Sequence, residues 1–120
     1  MKKFPEFACS VANRITDDVQ TKAGMEGYLF EGADGVQIIV WQNEKGGVSP
    51  EATHPFWEYA LVVEGVYDGW IGDKEIHLKP GDEAVIPPGV KHRGSYSAGY
   101  RAIDMFGGPR IVRPKKRRAK

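Results

Sequence analysis

Cysteine is nearly absent from this chain. A single Cys in 120 residues excludes an internal disulfide framework and a four-thiolate zinc knuckle, so any metal site must draw on histidine and carboxylates. Histidine is itself scarce, with three copies, few enough to be judged one at a time. Long apolar runs are missing too. Stretches such as Ile38-Ile39-Val40-Trp41 are strand-sized, far from the ~18 residues a membrane helix needs. Lys2-Lys3-Phe4 opens like a secretory leader, but Pro5, Glu6, Asn13 and Arg14 interrupt any apolar segment that would follow. A soluble cytoplasmic protein with no membrane association is expected.

No excess of either charge is visible at first, since 17 basic residues face 16 acidic ones. The balance hides an asymmetry. Six of the basic residues fall in Arg113-Pro114-Lys115-Lys116-Arg117-Arg118-Ala119-Lys120, which holds no acid, leaving 11 against 16 and a net of −5 over residues 1–112. A basic end on a basic domain would suggest a nucleic-acid arm. On an acidic body, without a helix-turn-helix or tail aromatics, residues 113–120 read as a disordered solubilising end, and a nucleic-acid partner is not expected.

What the chain has in quantity is turn formers: 15 Gly and 8 Pro, spaced between short apolar runs. At this length the chain is one domain, and the pattern is all-β. Strands are expected over Tyr28-Leu29-Phe30, Val36 to Trp41, Tyr59 to Val63, Val66 to Ile71, Glu75 to Leu78, Glu83 to Ile86, His92 to Gly94 and Tyr100 to Phe106. Asp34-Gly35 marks the first hairpin. Turns recurring about every ten residues suggest a sandwich or small barrel. Residues 1–24 are read as an N-terminal extension packing on a barrel of residues 25–112, with Thr16-Asp17-Asp18 as a helix cap or turn. Cys9 is read as an apolar filler or unreactive thiol, because no second Cys or cationic cluster would lower its pKa.

Two spacings carry the functional information: Gly46-x5-Ala52-x-His54-x3-Glu58-x6-Gly65, and Gly81-x5-Pro87-x-Gly89-x2-His92-x3-Tyr96, with fifteen residues between them. Together they resemble the two motifs of the cupin superfamily, whose RmlC-like members fold as a jelly-roll β-barrel, or double-stranded β-helix. The departures are Ala52, where the first motif has its first His, and Tyr96, where the second ends in Asn. The resemblance implies one divalent metal ion, Fe, Mn, Zn or Ni, held by His54, Glu58 and His92. Two imidazoles and one carboxylate with open positions suit non-haem Fe(II), Mn or Zn chemistry. It further implies a small polar or carbonyl-bearing ligand, a metal-dependent oxygenase, isomerase or lyase if the protein is an enzyme, and a homodimer. The alternative is a non-catalytic small-molecule-binding cupin with a degenerate, metal-free site, or an oligomer subunit with a vestigial pocket.

Geometry places demands on that ligand set. Four residues of straight strand span ~13 Å, too far for two ligands on one ion, so the chain must bend between His54 and Glu58, where Pro55 favours a corner. The Pro87-Pro88-Gly89 turn must bring His92 in from another strand. Glu51 could replace the missing ligand only if the chain bulges, since alternation sends it to the other face. If Glu58 points inward, so do Ala60 and Val62, and the apolar row Tyr59, Leu61, Val63 faces out, where a second subunit would cover it. His77, opposed to Ile76 and Leu78, is expected outside the site. Phe56, Trp57, Trp41 and Trp70 form either an aromatic wall around the ligand or plain core. Tyr96 is the candidate proton donor if its phenol enters the pocket. Of Arg101 and Asp104, which have opposite parity, at most one faces inward.

Overall fold

A computed structural model of the chain describes residues 3–112; the basic end at 113–120 lies outside the described residues. Nine strands form two antiparallel sheets. They are β1 (Glu26–Glu31), β2 (Gln37–Asn43), β3 (Gly47–Ala52), β4 (Glu58–Glu64), β5 (Tyr67–Ile71), β6 (Lys74–Leu78), β7 (Glu83–Ile86), β8 (His92–Tyr96) and β9 (Tyr100–Phe106). One sheet runs β1-β2-β9-β4-β7 and the other β3-β8-β5-β6. Only β1-β2 and β5-β6 are neighbours that follow one another in sequence; every other connection crosses between the sheets, which enclose one interior as a jelly roll.

The strands follow from alternation. Leu29, Ile39, Trp41, Val62, Ala102 and Phe106 are buried in the cluster between the sheets, while their neighbours along each strand face out. Eight of the nine strands were expected close to these bounds. The exception is β3, which carries Pro50 and follows Gly46-Gly47. Its position explains why it forms regardless. It is an edge strand, and its pairing with β8 is irregular between Ser49 and Ala52, so the missing N–H of Pro50 costs no ladder bond. Glu51 stays on the outer face despite this irregularity, with its carboxylate 3.9 Å from the Lys91 ammonium.

The N-terminal residues pack on the barrel. Phe4, Ala8 and Cys9 pack with Tyr28, Val40 and Ile103 on the outer face of the larger sheet, and the Phe4 N–H donates to Gln42 Oε1 at 2.9 Å. Ile15 and Met25 reach the main core. Cys9 is a free thiol whose pKa is pushed up by burial, in line with an unreactive filler. Asp18 caps the four-residue helix α1 (Val19–Lys22) in a reciprocal box with Thr21. The same carboxylate forms a bidentate pair with Arg110 at 2.9 and 3.1 Å, and the guanidinium lies 5.5 Å from the ring centres of both Trp41 and Phe106. With side chains only 6% and 14% exposed, this pair ties the segment before β1 to the segment after β9. Asp18→Asn keeps a capping oxygen but discards the charge opposite Arg110. It should lower unfolding free energy by about 1–2 kcal/mol, read as an earlier urea midpoint at unchanged slope.

The outward row Tyr59, Leu61 and Val63 is half-buried, and beside Tyr59 across the sheet Val85 is 60% exposed. The N-terminal segment therefore covers the β1-β2-β9 part of this face and leaves the β4-β7 part open.

Candidate metal centre

Three backbone features assemble the site. The chain leaves β3 after Ala52, passes His54 and bends at Pro55-Phe56 before Glu58 opens β4, which is the corner that the spacing requires. Gly89 adopts φ 79°, a conformation that favours glycine, and its N–H donates to the His54 carbonyl at 2.7 Å. The turn that delivers His92 is thereby bonded to the backbone of the other histidine. His92 Nδ1 faces the Val90 carbonyl at 3.1 Å. Because a carbonyl can only accept, Nδ1 carries a proton and Nε2 turns inward toward Glu58.

The two imidazoles converge on one carboxylate oxygen. Glu58 Oε1 lies 3.4 Å from His54 Nε2 and 3.3 Å from His92 Nε2, and the three ligand atoms all fall within 4.8 Å of one another. Glu58 is 6% exposed, and Oε1 is buried with no hydrogen-bond partner. A buried carboxylate needs compensation by positive charge or donors, and these separations fit a shared ion. Donors bonding one centre at ~2.0–2.2 Å, at angles between square and tetrahedral, stand ~3.0–3.5 Å apart. The donor set fits a divalent metal. The His54 ring is fixed by Phe56 stacked at 5.6 Å and Phe106 edge-on at 5.5 Å.

A second carboxyl stands behind the first. Asp104, on β9 opposite Ala60 of β4, points into the interior against Glu58, which decides the parity question against Arg101; Arg101 instead pairs outside with Glu64 at 3.5 Å. Burial, then the adjacent Glu58 charge, pushes the Asp104 carboxyl well up. Burial alone would raise Glu58 too, but His54 and His92 outweigh it and hold the Glu58 carboxyl well below the usual carboxylate range. The two buried carboxyls are thus driven in opposite directions, Glu58 down and Asp104 up. Burial lowers His92, but contact with Glu58 outweighs it and leaves that imidazole raised.

A cavity of about 70 Å³ adjoins the three ligands, room for a molecule of a few heavy atoms. Ala52, His54, Glu58, Ala60, His92 and Asp104 are in its wall, as are Trp41 and Trp70. The aromatic expectation thus divides: Trp41 and Trp70 line the cavity, Phe56 buttresses His54, and Trp57 lies half outside at 39% exposure. Tyr96 also lines the cavity, on the same strand as His92 but at its other end. It is 5% exposed and its hydroxyl has no partner, so it does not point to solvent. His77 stays outside, its side chain 65% exposed and bonded to Asp68 at 2.7 Å. Sequence reasoning missed Gln20 and Arg110, both in the cavity wall. Neither belongs to a motif, and only the tertiary fold brings them there.

Residues 39–99 match the family model for the cupin domain. The chain belongs to the cupin family. No curated protein matches it. Among solved structures, this cupin is similar to KdgF from a Halomonas species, at 21% identity and TM-score 0.65, covering 75% of this chain and 82% of that one. It is also similar to an RmlC-like cupin from Shewanella frigidimarina, at 21% identity and TM-score 0.67, covering 81% and 86%. Oxalate decarboxylase from Bacillus subtilis, a protein with Mn(II) centres, aligns at 15% identity and TM-score 0.66, but the match covers 75% of this chain and only 27% of that enzyme. At these identities the likeness is one of fold. No helix among the described residues is long and apolar enough to cross a membrane.

Proposed function

We propose that this cupin holds one divalent metal ion through His54, Glu58 and His92 and acts on a small polar or carbonyl-bearing molecule bound beside it. The observation that carries this reading is the convergence of two Nε2 atoms on the buried Glu58 Oε1, at 3.3 and 3.4 Å. A bound metal would supply Lewis acidity or oxygen activation, which fits an oxygenase, isomerase or lyase; Fe, Mn, Zn and Ni all suit this donor set. The chain's own residues do the rest. His54, Glu58 and His92 present three donors on one side and leave the cavity side open. Trp41 and Trp70 exclude water from the wall, and Tyr96 offers a hydroxyl that burial keeps protonated.

The test is metal content. Protein purified without chelator should carry close to one metal ion per chain, and added metal should raise its melting temperature. Sub-stoichiometric metal, with His54→Ala and His92→Ala responding to added metal as the wild type does, would sink the proposal. The second reading, a metal-free cupin that only binds a small molecule, is favoured by one observation: Ala52 occupies the cavity wall with no ligand atom. We further propose a cytoplasmic homodimer, the second copy lying on the open β4-β7 face around Tyr59, Leu61 and Val85. Sedimentation at micromolar concentration that finds only monomer counts against it.

A further inference from the structure

The cavity has two ends of different chemistry. On β8, His92 and Tyr96 both face inward and stand four residues apart, ~13 Å along an extended strand. The register carries that separation across the sheet: His92 pairs with Ala52 on β3 and Ile71 on β5, whereas Tyr96 pairs with Gly47 and Tyr67. His54, Glu58 and His92 thus occupy one end, with Asp104, opposite Ala60, further along the interior. Arg110, the cationic side chain in the wall, has both terminal nitrogens engaged by Asp18.

Beyond the metal end the wall is polar, and Ser49 pairs with Gly94, midway between His92 and Tyr96. Gln20 Nε2 donates to Ser49 Oγ at 2.9 Å, and Tyr67 hydrogen-bonds the same serine. The Tyr96 hydroxyl, buried and unpartnered, lies against Gly47, where a Cβ would stand 3.0 Å from it. Gly47 therefore makes the room in which that hydroxyl sits. A buried hydroxyl without a partner is costly unless a bound molecule supplies one.

We propose that Gln20, Ser49, Tyr67 and Tyr96 form a second, uncharged subsite that takes a neutral hydroxyl or carbonyl group at the far end of the ligand. The ligand would then carry two oxygen functions, one for the metal end and one for this pole. The inference rests on the proposed function for its first pole only. Gln20, carried on the segment that Asp18 latches to Arg110, is a specificity residue in this reading.

Carboxylates of two to four carbons, with and without a terminal hydroxyl, provide the probes. In nickel-loaded protein the terminal hydroxyl should improve affinity at least fivefold at one chain length, and less than twofold at every length in Tyr96→Phe and Gln20→Ala. Nickel affinity itself should be unchanged in both variants. Tyr96→Phe should melt no lower than wild type, because it removes an unpartnered hydroxyl; a clear loss of stability would point to a structural role and overturn the proposal. The same series is followed in metal-free protein through the amide signals of Gly47, Ser49 and Tyr96. Wild type that binds no nickel overturns the metal reading alone, and shifts at these amides with only the hydroxylated probes still support the subsite. No hydroxyl preference in either form overturns it.

Discussion

Glu58→Gln should weaken metal binding by at least about a hundredfold while leaving the barrel folded. The substitution keeps the shape of the side chain and replaces an anionic donor by a neutral amide, which is a poor ligand for a divalent ion. Groups that merely orient a ligand typically cost about 10–100-fold in affinity when mutated, so the ligand shared by both histidines must cost more. Glu58→Asp keeps the charge but withdraws the oxygen by one methylene and should fall between the two. Competition against a chromogenic chelator measures all three proteins, with circular dichroism and urea unfolding to verify the fold. Equal affinity in Glu58→Gln and wild type would mean that the 3.3 and 3.4 Å approaches are an ion pair and nothing more. In that case Glu58 would serve only to hold His54 and His92 in place.

The sequence made this site legible because its three candidate ligands lie within two short motifs and each is placed by local chemistry. Pro55 bends the chain between His54 and Glu58, and Gly89 turns it toward His92. Alternation assigned Ala60 and Val62 correctly from Glu58, and placed His77 outside. It stopped at Asp104, because parity separates Asp104 from Arg101 without saying which one faces the interior. That choice depends on which face of β9 meets the second sheet, a long-range fact. β3 was hidden for a related reason. Pro50 argues against a strand until the edge position of β3 is known, since only there is a missing N–H harmless. Gln20 and Arg110 were beyond reach altogether. Their place in the wall rests on the Asp18–Arg110 pair, which joins residues 92 positions apart, and no periodicity encodes such a contact.

Ala52→His should tighten binding of zinc or nickel by about a hundredfold, from the added imidazole donor. Ala52 lines the cavity and is the register partner of His92 across β3 and β8. Directly opposed residues on an antiparallel pair have Cβ atoms ~4.5–5.5 Å apart, so a new imidazole would start from the place where a fourth donor can reach the other three. The cavity of about 70 Å³ leaves little space for the ring. Metal-free Ala52→His should therefore melt slightly lower than wild type and recover more than the loss when metal is added, as tighter binding to the folded state requires. Metal-dependent melting and chelator competition read the two halves of this expectation separately. A variant that melts lower and gains no affinity would place the Ala52 Cβ out of line with the three donors, through the irregularity between Ser49 and Ala52. The absence of histidine at this position would then be one part of a larger change in the site, since β3 itself would no longer be aligned to deliver a ligand.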